Sequence, residues 1–198
     1  MGKYIIGITG ASGSIYGKRL VEDCLKAGHE VFLTITKSGR IVMKEELNLD
    51  LDMVPEMVEA RLMEYFKVGS GILKYYDIDY ICGAIASGSF RTDGMIIAPC
   101  SMSTASAVAH GSSRNLLERA ADVILKEGKP MIIMPRETPL SVIHLENLLK
   151  LARLGVKIIP PMPGFYTHPE TIDDLVNNTI GRVLDQLNIE HDLCKRWS

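Results

Sequence analysis

Metal-binding patterns are absent from this 198-residue chain. Its four cysteines, Cys24, Cys82, Cys100 and Cys194, lie far apart and form neither a CxxC pair nor a Cys/His pattern. The histidines, His29, His110, His144, His168 and His191, are equally scattered, without the spacing of a zinc site. Such thiols read as reduced cysteines of a cytoplasmic protein. An excess of either charge is missing too. Lys and Arg number 22 against 24 Asp and Glu, a net charge of −2 with no long basic run, which argues against a nucleic-acid surface. The N-terminus lacks the charged and apolar regions of an export signal, and Ile6 stands where a myristoylation motif needs Ser or Thr. No stretch reads as a membrane span. Gly94 to Ser113 contains no Asp, Glu, Lys or Arg, but Pro99 and the many Ser, Thr and Gly residues make it too polar to cross a bilayer. It reads instead as a segment covered by protein, its own or a neighbouring subunit's.

Repeats and low-complexity linkers are lacking as well, so the chain reads as one domain over 1–198, long enough for a sizeable core. A hydrophobic content of 46% with 23% charged residues suits a soluble globular protein. Five short apolar runs recur: Tyr4–Ile8, Val31–Ile35, Met95–Ala98, Met131–Met134 and Val156–Ile159. Continuous Ile/Val-rich runs suit strands covered on both faces. Lys74–Tyr80 offers one more strand, and Pro55–Ala60 a helix. Ile172, Leu175, Val176, Ile180, Val183, Leu184 and Leu187 follow the spacing of one buried helix face, started by a capping box of Thr171 and Asp174. Leu145, Leu148, Leu149 and Ala152 give the helix after Pro139 a similar face. The expectation is an α/β, doubly wound, mostly parallel sheet in three layers, Rossmann- or flavodoxin-like.

Ligands of such sheets bind beyond the carboxyl ends of the strands, and here those ends carry unusual residues. Met95-Ile96-Ile97-Ala98 reads as a strand that Pro99 stops. Cys100-Ser101-Met102-Ser103-Thr104 then opens a small-residue helix, so hydroxyls, free backbone N–H groups and a positive dipole end meet at one point. Such a turn either holds an anion, most simply a phosphate, or merely caps its helix. Gly7-Ile8-Thr9-Gly10-Ala11-Ser12-Gly13-Ser14 makes a tight turn that brings bare backbone near a ligand or simply meets a geometric need. It is neither a GxGxxG nor a Walker loop. Thr36-Lys37-Ser38 again puts a hydroxyl at a helix start. Phe90, at the tip of Ala86–Phe90, reads as core before stacking platform. Pro135-Arg136-Glu137-Thr138-Pro139 holds a charged pair between two stiffening prolines, either a site or a solvated surface pair. Pro160–Tyr166 is a rigid, aromatic-ended loop suited to wall a planar or apolar ligand.

Several blocks occur in a telling order: Gly10-Ala11-Ser12-Gly13, Ser87-Gly88-Ser89-Phe90, Pro99-Cys100-Ser101, Arg119-Ala120-Ala121-Asp122-Val123 and Leu125-Lys126-Glu127. Pro135-Arg136-Glu137-Thr138-Pro139-Leu140, Pro163-Gly164-Phe165-Tyr166, Asp173-Asp174-Leu175-Val176 and Arg182-Val183-Leu184 follow. Together they resemble the UbiX-type flavin prenyltransferases, a family formerly labelled phenylacrylic or aromatic acid decarboxylases, over essentially the whole chain from Lys3 to Trp197. The resemblance implies a homo-oligomer, commonly a dodecamer, with FMN at subunit junctions and no metal ion. It implies transfer of the dimethylallyl group of dimethylallyl phosphate to N5 and C6 of reduced FMN, giving prenylated FMN for UbiD-type decarboxylases.

Residue by residue, the resemblance assigns FMN contacts to Gly10, Ala11, Ser12, Thr36, Ser101, Met102, Ser103, Thr104 and Arg136. Thr36 replaces the family's commoner Ser and keeps its hydroxyl. The prenyl-phosphate pocket falls to Lys126, Arg136, Glu137, Tyr166 and Arg182, with Glu46 at its edge and Trp197 near a C-terminal lid; the tail over about 188–198 packs on a neighbouring subunit or forms that lid. Catalytic roles fall to Ser12, Glu46, Lys126 and Glu137. These residue types suit the chemistry: three cations would stabilise the departing phosphate, Glu137 or the phosphate itself would take a proton, and π faces would stabilise an allyl cation. Rival readings are an FMN-dependent decarboxylase of aromatic acids or of the cysteine type, the latter disfavoured by the lack of Asn in Pro99–Thr104, and an FMN carrier.

Overall fold

Alternate side chains of each central strand enter two separate apolar clusters. Tyr4, Ile6 and Ile8 point into one and Ile5 into the other; Ile96 and Ala98 oppose Met95 and Ile97; Ile132 and Met134 oppose Met131 and Ile133. A strand with this two-residue period and no polar face must be covered on both sides. The computed structural model describes residues 1–193 and shows how. Strands β1 (Lys3–Ile8), β2 (Glu30–Ile35), β3 (Leu73–Tyr75), β4 (Gly94–Cys100), β5 (Met131–Pro135) and β6 (Lys157–Ile158) alternate with helices. These are α1 (Ser14–Lys26), α2 (Lys37–Leu47), α3 (Pro55–Phe66), α4 (Met102–Ala109), α5 (Leu116–Lys126), α6 (Val142–Arg153) and α7 (Ile172–Gln186).

All strand pairs are parallel, in the order β3-β2-β1-β4-β5-β6. Side chains of α1, α2, α3 and α7 fill the first cluster, and those of α4, α5 and α6 the second. The result is three layers, doubly wound, as the apolar runs predict. The chain leaves β1 towards β2 on one side and reaches β4 on the other, so the strand order reverses between β1 and β4. That reversal is where open α/β sheets bind ligands.

Some expectations change. β4 does not stop at Pro99 but runs on to Cys100. The β1–β4 ladder ends at Gly7 and Ile97, so the missing N–H of Pro99 breaks no bond there, and its carbonyl is taken up by Thr9. The added strand is three residues, Leu73–Tyr75, rather than Lys74–Tyr80. The last helix keeps its capping box of Thr171 and Asp174, with Ile172 exposed and Val176, Ile180, Val183 and Leu184 buried. In α6 the face differs from the one predicted: Leu151 is buried, whereas Val142, Ile143, Leu145 and Leu149 are exposed. A helix apolar nearly all round has more greasy surface than one sheet can cover. Phe90 packs edge-on against Phe32, with ring centroids 4.9 Å apart, so it is core. After α7, Ile189 and Leu193 join the first cluster. Trp197 lies outside the described residues. No helix among the described residues is long and apolar enough to cross a membrane.

Candidate active site

Parallel topology brings the loops after β1, β2, β4, β5 and β6 to one edge of the sheet. Four of them end in helix caps made by side chains, Thr36, Ser101, Ser141 and Thr171, and the first two border the crevice. Thr36 accepts a hydrogen bond from the Gly39 amide at 3.0 Å at the start of α2. Ser101 accepts one from the Thr104 amide at 3.2 Å at the start of α4 and donates to Thr104 Oγ1 at 3.0 Å. Capping uses one of the free amides of α4, which leaves those of Met102 and Ser103 pointing out of the helix. The Gly10 turn is pressed against the start of α2: a Cβ on Gly10 would come within 2.4 Å of Ser38 Oγ. Glycine is therefore needed there for close approach.

The start of α1 is already taken by an anion of the chain itself. Glu46, in the last turn of α2, accepts hydrogen bonds from the amides of Gly13, at 3.0 and 3.1 Å, and of Ser14, at 2.7 Å. Burial opposes the charged form of Glu46, but hydrogen bonds from the Ser12 hydroxyl and the Ser14 and Gly13 amides outweigh it and hold its carboxyl below the ordinary range. Glu46 is thus ionised at neutral pH and tied to Ser12. In this strand order the first helix start normally receives a dinucleotide's pyrophosphate. A carboxylate there repels a phosphate, which agrees with the absence of a GxGxxG loop.

Arg136 follows β5 and is drawn to the same edge by its amide, which donates to the Cys100 carbonyl at 3.2 Å. Its Nε is buried without a hydrogen-bond partner. Glu137 is exposed and accepts from the Thr138 amide at 2.9 Å. Tyr166 is exposed in the loop after β6. Hydroxyls of Thr36, Ser101, Ser103 and Thr104, free amides at α4 and an unsatisfied guanidinium nitrogen make a donor set for a phosphate-bearing, hydroxylated ligand. FMN fits that set.

Two predicted site residues are not brought into this group. Lys126 ends α5, immediately before the turn whose Pro130 carbonyl accepts from the Met95 amide at the amino end of β4. Its ammonium pairs with Glu127 beside Gly88. The seven residues of β4, at about 3.3 Å each, put roughly 20 Å between that edge and the Ser101 turn. Helices of this fold run antiparallel to its strands, so a residue at the end of α5 must lie at the far edge. Arg182 stands on α7, exposed and paired with Asp185 at 3.1 Å. Among the described residues no hydrogen bond or ion pair joins it to Arg136, Glu137 or the Ser101–Thr104 turn. The three cations do not form one cluster within a chain.

Comparison with known proteins decides the class. The flavoprotein family model matches residues 2–184. A flavin prenyltransferase UbiX of Halalkalibacterium halodurans is 51% identical over 99% of this chain and 93% of its own length. The chain belongs to the UbiX-type flavin prenyltransferases. Two solved members of the family share its fold. The dodecameric FMN-dependent UbiX-like decarboxylase from Escherichia coli O157:H7 superposes with a TM-score of 0.86 at 41% identity over 99% of both chains. AnUbiX in complex with FMN and dimethylallyl pyrophosphate gives 0.86 at 34% identity, covering 100% of this chain and 97% of that one.

Cys100, although it adjoins the flavoprotein crevice, is no nucleophile. It is fully buried, and burial pushes its thiol up to about 12, as it does that of Cys24; the reactive thiolate is scarce at such values. Alkylation of the folded protein at pH 8, read by peptide mass mapping, is expected to leave Cys24 and Cys100 unmodified and to label both after denaturation. Among the described residues no group of three or more His, Cys, Asp or Glu is placed to hold a metal ion. Thr9 is the residue that sequence reasoning passed over. Its signal was a hydroxyl closing an apolar strand run, which is too common to single out.

Proposed function

We propose that this protein joins the dimethylallyl group of dimethylallyl phosphate to N5 and C6 of reduced FMN, as a cytoplasmic homo-oligomer whose product serves UbiD-type decarboxylases. The observation that carries the reading is 51% identity to a flavin prenyltransferase over 99% of the chain, in a fold whose strand-order reversal carries a donor set suited to FMN. Bound reduced FMN supplies the nucleophilic atoms, and the allylic phosphate supplies the electrophilic carbon.

The chain's own residues then divide the work. Gly10, Ala11, Thr36 and Ser101 to Thr104 hold and orient the flavin, with the phosphate tail drawn to the start of α4 because Glu46 occupies the start of α1. Arg136 faces negative charge with an otherwise unsatisfied Nε. Ser12, hydrogen-bonded to ionised Glu46, passes a proton at the flavin edge, and Glu137 accepts the proton released on ring closure. Tyr166 and Arg182 bind the prenyl phosphate. Lys126 reaches that phosphate from a neighbouring copy, because its own chain puts it at the other edge. The exposed Val142, Ile143, Leu145 and Leu149 on α6, with Met162 and Phe165 nearby in sequence, supply the apolar surface that such an assembly buries. A dodecamer, as in the Escherichia coli relative, is the expected form.

Mass spectrometry of flavin extracted after anaerobic incubation with reduced FMN and dimethylallyl phosphate tests the reading. A gain of one prenyl group is expected. Unmodified FMN released from a binding-competent protein would sink it, and carbon dioxide released from an aromatic acid by this protein alone would favour a decarboxylase.

A further inference from the structure

Between the two turns of the proposed flavin cradle lies one fully buried hydroxyl. Thr9 is the first residue after β1 and has no exposed surface. Its Oγ1 donates to the Pro99 carbonyl at 2.8 Å and accepts from the Ser101 amide at 2.8 Å. Its own amide reaches the same carbonyl at 3.3 Å. These bonds begin just where the β1–β4 ladder gives out, after Gly7 and Ile97, and where the β4–β5 register shifts, between Ile97 and Cys100. At this point strand pairing no longer sets the gap between β1 and β4. A side chain does.

We infer that Thr9 is a positioning residue for flavin binding, its hydroxyl clamping the Gly10–Ser12 turn to the Ser101–Thr104 turn. The inference rests on the proposed FMN site. The chain of contact is short. Thr9 Oγ1 holds the Ser101 amide, Ser101 keeps its extended cap geometry (φ −71°, ψ 152°), and its Oγ fixes the Thr104 amide at the start of α4. On the other side Thr9 is bonded directly to Gly10. The Thr9 hydroxyl thus ties both halves of the cradle, used once as donor and once as acceptor, and the longer bond from the Thr9 amide to the Pro99 carbonyl adds to it. Thr is suited to the position because its β-branched shape fits a strand end while its hydroxyl makes both bonds. Valine would keep the shape and lose the clamp, leaving the Ser101 amide without its partner.

Flavin binding by wild type, Thr9→Val and Thr9→Ser, followed by fluorescence quenching, tests the role. Thr9→Val is expected to raise the FMN dissociation constant on the order of tenfold, the effect of leaving one buried donor unpaired. Thr9→Ser, which keeps the oxygen, should return it close to wild type. At saturating FMN, Thr9→Val should keep most of its kcat, since the hydroxyl touches no reacting atom, so the defect lies in KM for FMN. Equal affinity in wild type and Thr9→Val, or equal weakening in Thr9→Val and Thr9→Ser, would overturn the role. Wild type that binds no FMN would overturn the site itself. Should Thr9→Val fail to fold, hydrogen exchange of the flavin-free wild type decides: the Ser101 amide should be protected and the Ser103 amide should exchange fast, whereas fast exchange at Ser101 removes the clamp.

Discussion

Protomers carrying Lys126→Ala, co-assembled with protomers carrying Arg136→Ala, should recover prenyl transfer that neither variant shows alone. On the proposed reading each single change removes a cation facing the departing phosphate, and the loss of one such group costs on the order of 10²–10³ in rate. If both cations served one site within one chain, mixing would restore nothing. The fold argues otherwise. Lys126 ends α5 at the amino edge of the sheet, and Arg136 follows β5 at the carboxyl edge. In a closed assembly the two meet only across a subunit junction. In a random equal mixture roughly a quarter of such junctions combine an intact Lys126 with an intact Arg136, so about that share of wild-type activity should return. The measurement is flavin prenylation after the mixed oligomer is refolded or co-expressed, against each homo-oligomer. Absence of recovery in a demonstrably mixed oligomer would place Lys126 outside the site.

The second large effect concerns stability. Gly17 lies in the first turns of α1, where a Cβ would come within 2.4 Å of the Ala98 carbonyl and 3.0 Å of Ile8 Cδ1. The first of these is backbone of a central strand and cannot swing away, so α1 would have to lift from β4. Overpacking of this kind costs about 1–3 kcal/mol, occasionally more. Gly17→Val, which adds two further methyl groups, belongs at the upper end, and a domain of this size should lose about 5–10 °C in Tm. Differential scanning calorimetry checks it, and an unchanged Tm would mean that α1 is not pressed against β4 at Gly17. Because α1 begins at Ser14 with Gly13 as its cap, the two residues whose amides hold Glu46, flavin affinity in this variant should fall together with stability.

Elements set by near neighbours were legible in the chain. The apolar runs of β1, β2, β4 and β5 announce strands buried on both faces, and Ser101 and Thr171 announce the starts of α4 and α7, because strand patterning and capping both act within a few residues. The α/β class followed from their alternation. The face of α6 is not legible in the chain, for a different reason. A helix with apolar residues nearly all round has no periodicity that singles out one side, and only packing selects Leu151 for the core while leaving Leu145 and Leu149 outside.

Of the candidate site, the turn residues Gly10 to Ser12, Thr36, Ser101 to Thr104, Arg136 and Glu137 could be gathered from sequence, since each directly follows a strand and a parallel sheet delivers all such turns to one edge. Contacts that join distant parts of the chain were decided by the tertiary structure alone. Glu46 reaches Gly13 across 33 positions and Thr9 reaches Ser101 across 92. No local pattern encodes either, because each depends on which strand lies beside β1. The strand order β3-β2-β1-β4-β5-β6 places β4 there, sets Thr9 against Pro99 and Ser101, and turns the end of α5, with Lys126, away to the opposite edge.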